Sequence, residues 1–459
     1  MTIRTGTADV RARLLCLSHE LYPGTSPGAI KTTGLLRELA SQHDVTVVTA
    51  QRGGAVAGAR CQVVRSWVPW RFFRVLERLR LGRFIQFFVW PDRSIFWFIP
   101  AFFWCRRELR RRQYDAICVF AMPYGSVFVG ASLRRFSGLP LIVNLSDSPT
   151  CSGIHFRFQS ALHRTLQLWL EDYFIKAADR VVYVSSTNLE RVKARLTDEE
   201  KGKLRLCRRG ADPEFGRVKG DPAHDAKRFT IVYAGGMRGW LEFYEPRGSF
   251  KWIRRAVRGL NEIGTVEISG IDIAPHSPIF LGRAVRLLLR KHPEWTGRVA
   301  VDVVGNQFVD RIVTSVLERE GLAEFMTVEP PIPHDAIAGR LAAADLLFLS
   351  LHGRSDGEPE GIISSKTYEY LLTDKPILAA LPDGENRTFL SGHEGVWLVG
   401  PRDEEAMAGA IEVIAESRFA GKPLRFDRTA NIQTMSYAAR AREFAAIVEG
   451  VIEDLTHGK

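Results

Sequence analysis

Phe229-Thr230-Ile231-Val232-Tyr233-Ala234-Gly235-Gly236 is an unbroken apolar run closed by two glycines, halfway along a chain of 459 residues. A run this short reads as a buried strand rather than a helix, and the glycines mark the turn that ends it. The same opening has already been used once. Arg13-Leu14-Leu15-Cys16-Leu17-Ser18 is followed by the Gly/Pro-rich loop 22–28 and by an amphipathic helix predicted from about Ala29 to Ser41. Further strands are predicted at 45–49, 116–120, 141–145, 181–184 and 204–207, then, after the restart, at 299–304, 346–350, 376–380 and 396–399. Helices are predicted near 333–343 and 366–372. Short, fully apolar strands alternating with helices belong to parallel sheets covered on both faces. A polar break at 213–227 parts the two series, so the expected fold is α/β with two Rossmann-like, doubly wound domains. A last helix, about 430–454, has no following strand to serve, and 240–278 shows no clear pattern.

Composition narrows the class. A hydrophobic share of 46% with 25% charged residues is that of a globular protein, which excludes a disordered chain. Six scattered cysteines without a CxxC pair exclude a zinc ribbon and suggest a reducing compartment. Met1 to Arg13 is polar and has no apolar core of a signal peptide, so a cytoplasmic location is expected. The net charge of +11 is carried by 51–113, which holds 14 arginines, no lysine and three acids (Glu77, Asp92 and Glu108). That stretch also holds 14 Trp and Phe residues, among them Trp67, Trp70, Phe72, Phe73, Phe87, Phe88, Trp90, Trp97, Phe103 and Trp104. Pro91-Asp92-Arg93 and Pro100 interrupt its apolar runs before a membrane could be spanned. The plain reading is a helix pair with an arginine-rich solvent face. The reading preferred here is an interfacial patch, over 65–112, for an anionic membrane surface, with no nucleic-acid partner.

Ligands of open parallel sheets bind beyond the carboxyl ends of the strands, which directs attention to three loops. The loop Gly24 to Gly28 opens a helix but is not GxGxxG, so a dinucleotide site is not supported. The loop Ala234-Gly235-Gly236-Met237-Arg238-Gly239 adds an arginine suited to a diphosphate; alternatively that arginine is simply solvated. The third stretch, from Glu358-Pro359-Glu360-Gly361 through Ser364-Ser365-Lys366-Thr367-Tyr368-Glu369, opens a helix at Ser364 or Ser365. Lys366 and Glu369 then share one face near its positive end, where a carboxylate can take a ribose diol and the lysine a phosphate. Alone, the pair reads first as a local ion pair on a capped surface helix.

Taken in order, these pieces resemble the retaining GT-B-type glycosyltransferases, in particular the family 4 group that builds bacterial surface polysaccharides. The resemblance rests on 17–24 (Leu17-Ser18-His19-Glu20-Leu21-Tyr22-Pro23-Gly24), 178–185, Arg209-Gly210-Ala211-Asp212 with Phe215, 233–236, 303–305, 342–345 and 365–376. It implies two facing Rossmann-like domains: 1–215 binding the acceptor, 216–428 binding the nucleotide sugar, and a helix in 429–459 packing back on the first domain. It also implies that Glu369 holds the ribose and that Lys366, with the Gly361 to Ser365 backbone, forms part of the donor site. Arg238 would neutralise the leaving diphosphate, with Lys251 as its partner, while Gly28 and Gly236 line the donor loops and Asp147 faces the transferred sugar. The sequence departs from the family in three places. Glu360 is one residue out of register with Gly361, Arg209 replaces an asparagine, and the interval after Arg238 is stretched.

The function these residues imply is transfer of a sugar, hexosyl or related, from a nucleoside-diphosphate sugar to an acceptor hydroxyl, with retention, in polysaccharide or glycolipid synthesis. No Asp-x-Asp pair occurs, so no metal and no cofactor is expected. A lipid-linked acceptor at the inner face of the cell membrane would suit the basic aromatic segment. The competing readings are an inactive membrane-bound scaffold of the same fold and a sugar-nucleotide epimerase.

Overall fold

The computed structural model describes residues 11–24, 26–66, 73–75, 78, 88–151, 157–218, 227–237, 239–244, 266–267, 270–306 and 311–457. They form two compact units. Unit 1 runs to Gly210 and resumes at Tyr437, and unit 2 runs from Ala211 to Ser436 apart from a short exchange at 264–266.

Unit 1 is built on β1 (Arg13–Ser18), β2 (Asp44–Thr49), β3 (Arg60–Val63), β4 (Ala116–Ala121), β5 (Leu141–Leu145), β6 (Arg180–Tyr183) and β7 (Leu204–Leu206). All pair in parallel, in the order β3-β2-β1-β4-β5-β6-β7. Alternate residues feed opposite faces: Leu15, Leu17, Ile117 and Val119 join one apolar cluster, and Leu14, Cys16, Ala116 and Cys118 the other. This period of two is what a doubly covered sheet requires. Helices α1 (Pro27–Gln42), α2 (Phe98–Arg111), α3 (Gly125–Ser137) and α4 (Ala161–Ala177) belong to this unit.

Unit 2 repeats the plan with β8 (Phe229–Ala234), β9 (Val299–Val304), β10 (Met326–Glu329), β11 (Leu346–Ser350), β12 (Ile377–Ala380) and β13 (Val396–Val399). The order is β10-β9-β8-β11-β12-β13, again all parallel. In both sheets the first strand is central and the chain reverses its direction of travel beside it. The switch points, where crevices for ligands open, therefore lie between β1 and β4 and between β8 and β11. Helices α5 (Ile279–Lys291), α6 (His334–Ala343), α7 (Ser365–Leu372) and α8 (Glu404–Phe419) accompany this sheet.

The expected strands are present. Within the two large sheets, two further strands carried no apolar signal strong enough to read: β3, whose Arg-Cys-Gln-Val is a polar edge strand, and β10. Helix α5 begins directly after the unassigned stretch. The single terminal helix expected over 430–454 is two, α9 (Thr429–Met435) and α10 (Tyr437–His457), because Ser436 between them is extended. Residues 429–436 stay with unit 2, and only α10 returns to unit 1. There Phe444, Ala445 and Val448 join Leu36 and Leu39 of α1 over the sheet. The ring of Tyr437 lies so close to Gly34 that a Cβ there would come within 2.5 Å of it. Arg180 pairs with Asp454 at 2.8 Å along the helix, and the buried His43 lies 3.5 Å from Glu449. The division between units falls before Ala211, and Ala211 and Phe215 are buried in the unit 2 core. Among the described residues no helix is long and apolar enough to cross a membrane.

Candidate functional site

In unit 2 the chemistry gathers at the carboxyl ends of β8, β9 and β11. Gly235 leaves β8 at φ +127° and its N–H donates to the carbonyl of Val304 at 2.6 Å. A Cβ at that position would lie 2.3 Å from Cε of Lys366. Gly305, at φ +100°, ends β9 so close by that its own Cβ would sit 3.1 Å from Cα of Gly235. Two bare backbone turns are thus pressed together, with the stem of Lys366 laid across one of them. The Lys366 ammonium is 5.2 Å from the centroid of the Tyr233 ring. Burial pulls its pKa below the ordinary 10.5, and the charge of Glu369 opposes that shift.

Helix α7 is what aims Lys366. Ser364 holds the N-cap in extended backbone and its hydroxyl makes no capping bond; Thr367 N–H donates to Ser364 O at 3.1 Å, which leaves the amides of Ser365 and Lys366 as the first-turn donors for another acceptor. Ser365, Lys366 and Glu369 lie half-buried, whereas Thr367, Tyr368, Tyr370 and Leu371 are buried. Two of the buried side chains anchor the helix. The Tyr370 hydroxyl accepts from Ala234 N–H at 3.0 Å, and Thr367 Oγ1 donates to Asn386 Oδ1 at 2.8 Å. The helix is therefore fixed to the end of β8 by its inner face and shows Lys366 and Glu369 on the outer one.

Glu360 is buried, and its main chain is clamped on both sides: its N–H donates to Asp383 O at 3.1 Å and its carbonyl accepts from Glu385 at 2.8 Å. Its Oε1 accepts from Gly361 N–H at 3.0 Å, and Oε2 lies 4.0 Å from Nε2 of His352. Gly361 and Ser364 are buried beside it. At Gly236 a Cβ would meet nothing nearer than Gly305 O at 3.8 Å. Arg238 and Lys251 lie outside the described residues.

Two polar residues in this region escaped the sequence reading. Among the described residues Asn306, 1% exposed, has no hydrogen-bond partner for either amide atom, and the Ser350 hydroxyl at the end of β11 is equally unpartnered. The available signal was position: each is a polar side chain at the close of an apolar strand, next to the switch point.

Unit 1 presents side chains rather than bare backbone. Asp147, in the loop after β5, is ion-paired with Arg209 (3.1 Å), and the same guanidinium donates to Ser146 O at 2.9 Å. The arginine that replaces the family's asparagine is thus the partner of the carboxylate picked out as facing the sugar. Beneath this loop lies Glu171, fully buried on α4. It accepts from Ser148 Oγ (2.7 Å), Tyr183 Oη (2.9 Å), Arg195 (2.7 Å) and Thr150 Oγ1. Ser148 Oγ in turn accepts from the N–H groups of Thr150 and Cys151, so the loop is folded around a buried carboxylate. Burial, with Glu171 beside it, keeps the Tyr183 phenol well above its usual pKa and therefore a donor.

At the switch point of this unit, Asp92 accepts from Tyr124 N–H at 2.6 Å, and the Tyr124 hydroxyl donates to Asp147 O at 3.1 Å. Met122, at φ +101°, is the one non-glycine with positive φ among the described residues, a strained turn at the mouth of β4. His19, at the end of β1, packs edge-on against Trp97 (5.5 Å), and burial lowers its pKa against the pull of Glu20 and Asp92. Gly28 is in the first turn of α1. A Cβ there would meet only Ser26 Oγ at 3.8 Å, so nothing within unit 1 demands glycine.

Metal-ligand types converge, among the described residues, at His292, Glu412 and Glu416. Both ring nitrogens of His292 are already engaged, with Glu412 (2.6 Å) and Glu294 (3.0 Å).

The family described as a glycosyl transferase 4-like domain matches residues 28–203. No curated protein matches the chain. Among solved structures, Anabaena HepE in complex with UDP and glucose is 15% identical, with 96% of this chain and 100% of that one covered at a TM-score of 0.56. Sucrose-phosphate synthase from Thermosynechococcus elongatus is 13% identical over 96% and 100% at 0.62. The α,α-trehalose 6-phosphate synthase of Burkholderia multivorans is 12% identical over 98% and 98% at 0.61. Identities this low speak for fold alone, and the fold is the GT-B type, with two Rossmann-like domains.

Proposed function

We propose that the chain transfers a sugar from a nucleoside-diphosphate sugar to an acceptor hydroxyl, with retention of configuration and without a metal. The observation that carries this reading is the seat of Lys366 across Gly235, with Glu369 one turn further along the same face of α7. In this reading Glu369 accepts from the ribose diol, and Lys366, the α7 amides and the backbone of the two glycine turns take the diphosphate. As the bond from the anomeric carbon to the diphosphate oxygen breaks, negative charge builds on that oxygen, where fixed donors stabilise it most. The acceptor oxygen closes the new bond and its proton passes to the departing phosphate. Asp147, held by Arg209, addresses the hydroxyls of the sugar. The match to the family 4-like domain and the UDP and glucose held by HepE support the same donor class.

A lipid-linked acceptor on an anionic membrane, in polysaccharide or glycolipid synthesis at the inner face of the cell membrane, suits the described part of the segment 65–112; 67–72, 76–77 and 79–87 lie outside the described residues. Phe73 and Trp97 are buried, so part of the aromatic excess is core, as the plain reading of that segment has it. Phe88 (75% exposed), Ile99 (65%) and Phe103 (59%) are not, and Arg107, Arg110 and Arg111 follow on the exposed side of α2. Arg106 and Arg110 lie over the ring of Phe136. Large apolar side chains rimmed by guanidinium groups are the chemistry of an interfacial anchor. Flotation with anionic vesicles at low salt is expected to carry the protein upward, and Phe103→Ser with Ile99→Ser to abolish this.

The donor reading is tested by a thermal-shift panel of UDP, GDP, ADP and CMP on the wild type and Glu369→Gln. A nucleotide at about 100 times its Kd stabilises by roughly 2.7 kcal/mol, several degrees in Tm. One nucleotide is expected to shift the wild type and not the variant; no shift with any of them overturns the reading.

A further inference from the structure

Unit 1 contains a cavity of about 40 Å³ that the reading above does not use. Its wall takes Lys31 from α1, Asn144 from the end of β5, Arg208 and Arg209 from the segment after β7, and Tyr437 and Arg440 from α10. Four of the lining side chains are cationic and none is acidic. Asp147, which pairs with Arg209, and Glu443, which pairs with Arg440, stand outside the wall, and Arg208 donates to Ser186 Oγ at 3.2 Å. Arg209 supplies the sharper sign. One of its terminal nitrogens serves Asp147 and Ser146, while its Nε is buried and has no acceptor among the described residues. A buried guanidinium N–H without an acceptor is costly, and an oxyanion is the group that a guanidinium fork fits best. The space suits one: at about 10–15 Å³ per water, it holds roughly three waters or one tetrahedral oxyanion.

We infer that this cavity binds a phosphoryl group through Lys31, Arg208, Arg209 and Arg440. Resting on the sugar-transfer reading, that phosphoryl group belongs to the acceptor, which is then a phosphate or diphosphate ester and not a neutral sugar. The wall is rigid where it needs to be. Tyr437 is seated on Gly34, and Arg209 is held by the Asp147 loop, so the donors are placed before the anion arrives.

The test is a titration of inorganic phosphate at constant ionic strength, read as the thermal shift, with acetate as the control anion. Phosphate is expected to give a saturable rise in Tm and acetate none. Lys31→Gln and Arg208→Gln are each expected to weaken the apparent phosphate affinity roughly tenfold while the UDP shift persists. A measurement without variants runs beside these: saturating UDP and phosphate together give additive shifts if the sites are separate. An equal response to acetate, an affinity unmoved by both variants, or loss of the phosphate shift in saturating UDP overturns the inference. The last result would assign the phosphate to the nucleotide site. A phosphate response without any nucleotide response keeps this site and removes the sugar-transfer reading; the reverse removes only this site. Farnesyl phosphate and glucose 6-phosphate then separate the sources. Tighter binding of the first marks a lipid-linked acceptor, tighter binding of the second a soluble one, and equal binding shows recognition of the phosphoryl group alone.

Discussion

Units 1 and 2 share a strand order around their switch points and differ in what they place there. In unit 2 the crevice is lined by bare backbone, Gly235 against Gly305, with one amine laid over it. In unit 1 it is lined by side chains that hold one another: Asp147 by Arg209, the loop below by Glu171, and the mouth of β4 by Asp92 through Tyr124. A diphosphate is recognised by many N–H donors at close range, which backbone supplies only where no Cβ intervenes. A sugar hydroxyl or an acceptor is recognised by a few directed groups, which must be stiffened by partners. Under the proposed function one topology serves both tasks, and the difference lies in whether the loop is made specific by removing side chains or by bracing them.

The most severe test of that contrast is Glu171→Ala. It leaves the Tyr183 and Ser148 hydroxyls facing a buried gap and Arg195 with Asp172 as its remaining carboxylate, and each buried polar group left unsatisfied costs about 1–3 kcal/mol. Urea denaturation is expected to show unit 1 losing that stability while unit 2 is unchanged. A loss below about 1 kcal/mol would mean that the loop stands without its carboxylate and is not braced in the sense used here.

Next in size is the counterpart in unit 2. Gly235→Val places a branched side chain where Lys366 Cε already lies and where φ is +127°, so both the turn and the lysine must move. Nucleotide binding is expected to vanish, and Lys366→Ala to lower turnover by roughly 100- to 1,000-fold, as loss of one oxyanion donor does. Activity retained by Gly235→Val would break the view of unit 2 as a backbone site.

Asp147→Asn sharpens the comparison from the other side. The amide keeps the shape of the carboxylate but loses the charge that pairs with Arg209. Turnover is expected to fall by roughly 10- to 100-fold, about 1.4–2.7 kcal/mol, with the nucleotide-induced shift intact. Loss of that shift would place Asp147 in nucleotide binding instead.

These contrasts were unequally visible in the sequence. Apolar strands closed by glycine are local patterns, so β8, Gly235 and the helical spacing of Lys366 and Glu369 could be read directly. The bracing in unit 1 depends on pairs far apart in the chain: Arg209 meets Asp147 across 62 positions, and Arg195 meets Glu171 across 24. Nothing near Arg209 announces its partner, and it stood as a departure from a family pattern until the fold joined the two. Glu171 sits on an amphipathic helix, where a glutamate normally reads as solvated. The break at Ser436 was hidden for a similar reason, because both flanking stretches favour helix and only tertiary placement separates them.

The last effect concerns a charge that neither strategy uses. Lys375, 4% exposed between α7 and β12, has its pKa lowered to about 8 by burial, with Arg425 adding repulsion and Asp374 opposing it. In the unfolded chain the same lysine stays protonated up to its ordinary 10.5. Between those two values the unfolded state binds more protons than the folded one, so stability rises with pH across the window from about 8 to 10.5. Below about 8 the buried ammonium imposes its full cost. Lys375→Met keeps the apolar stem and removes the charge, so at pH 7 it is expected to stabilise unit 2 by on the order of 1–3 kcal/mol. It is also expected to flatten the alkaline limb of the stability curve. Were Lys375→Met destabilising at pH 7, the ammonium would be satisfied by a partner that outweighs its burial, and unit 2 too would rely on a braced side chain.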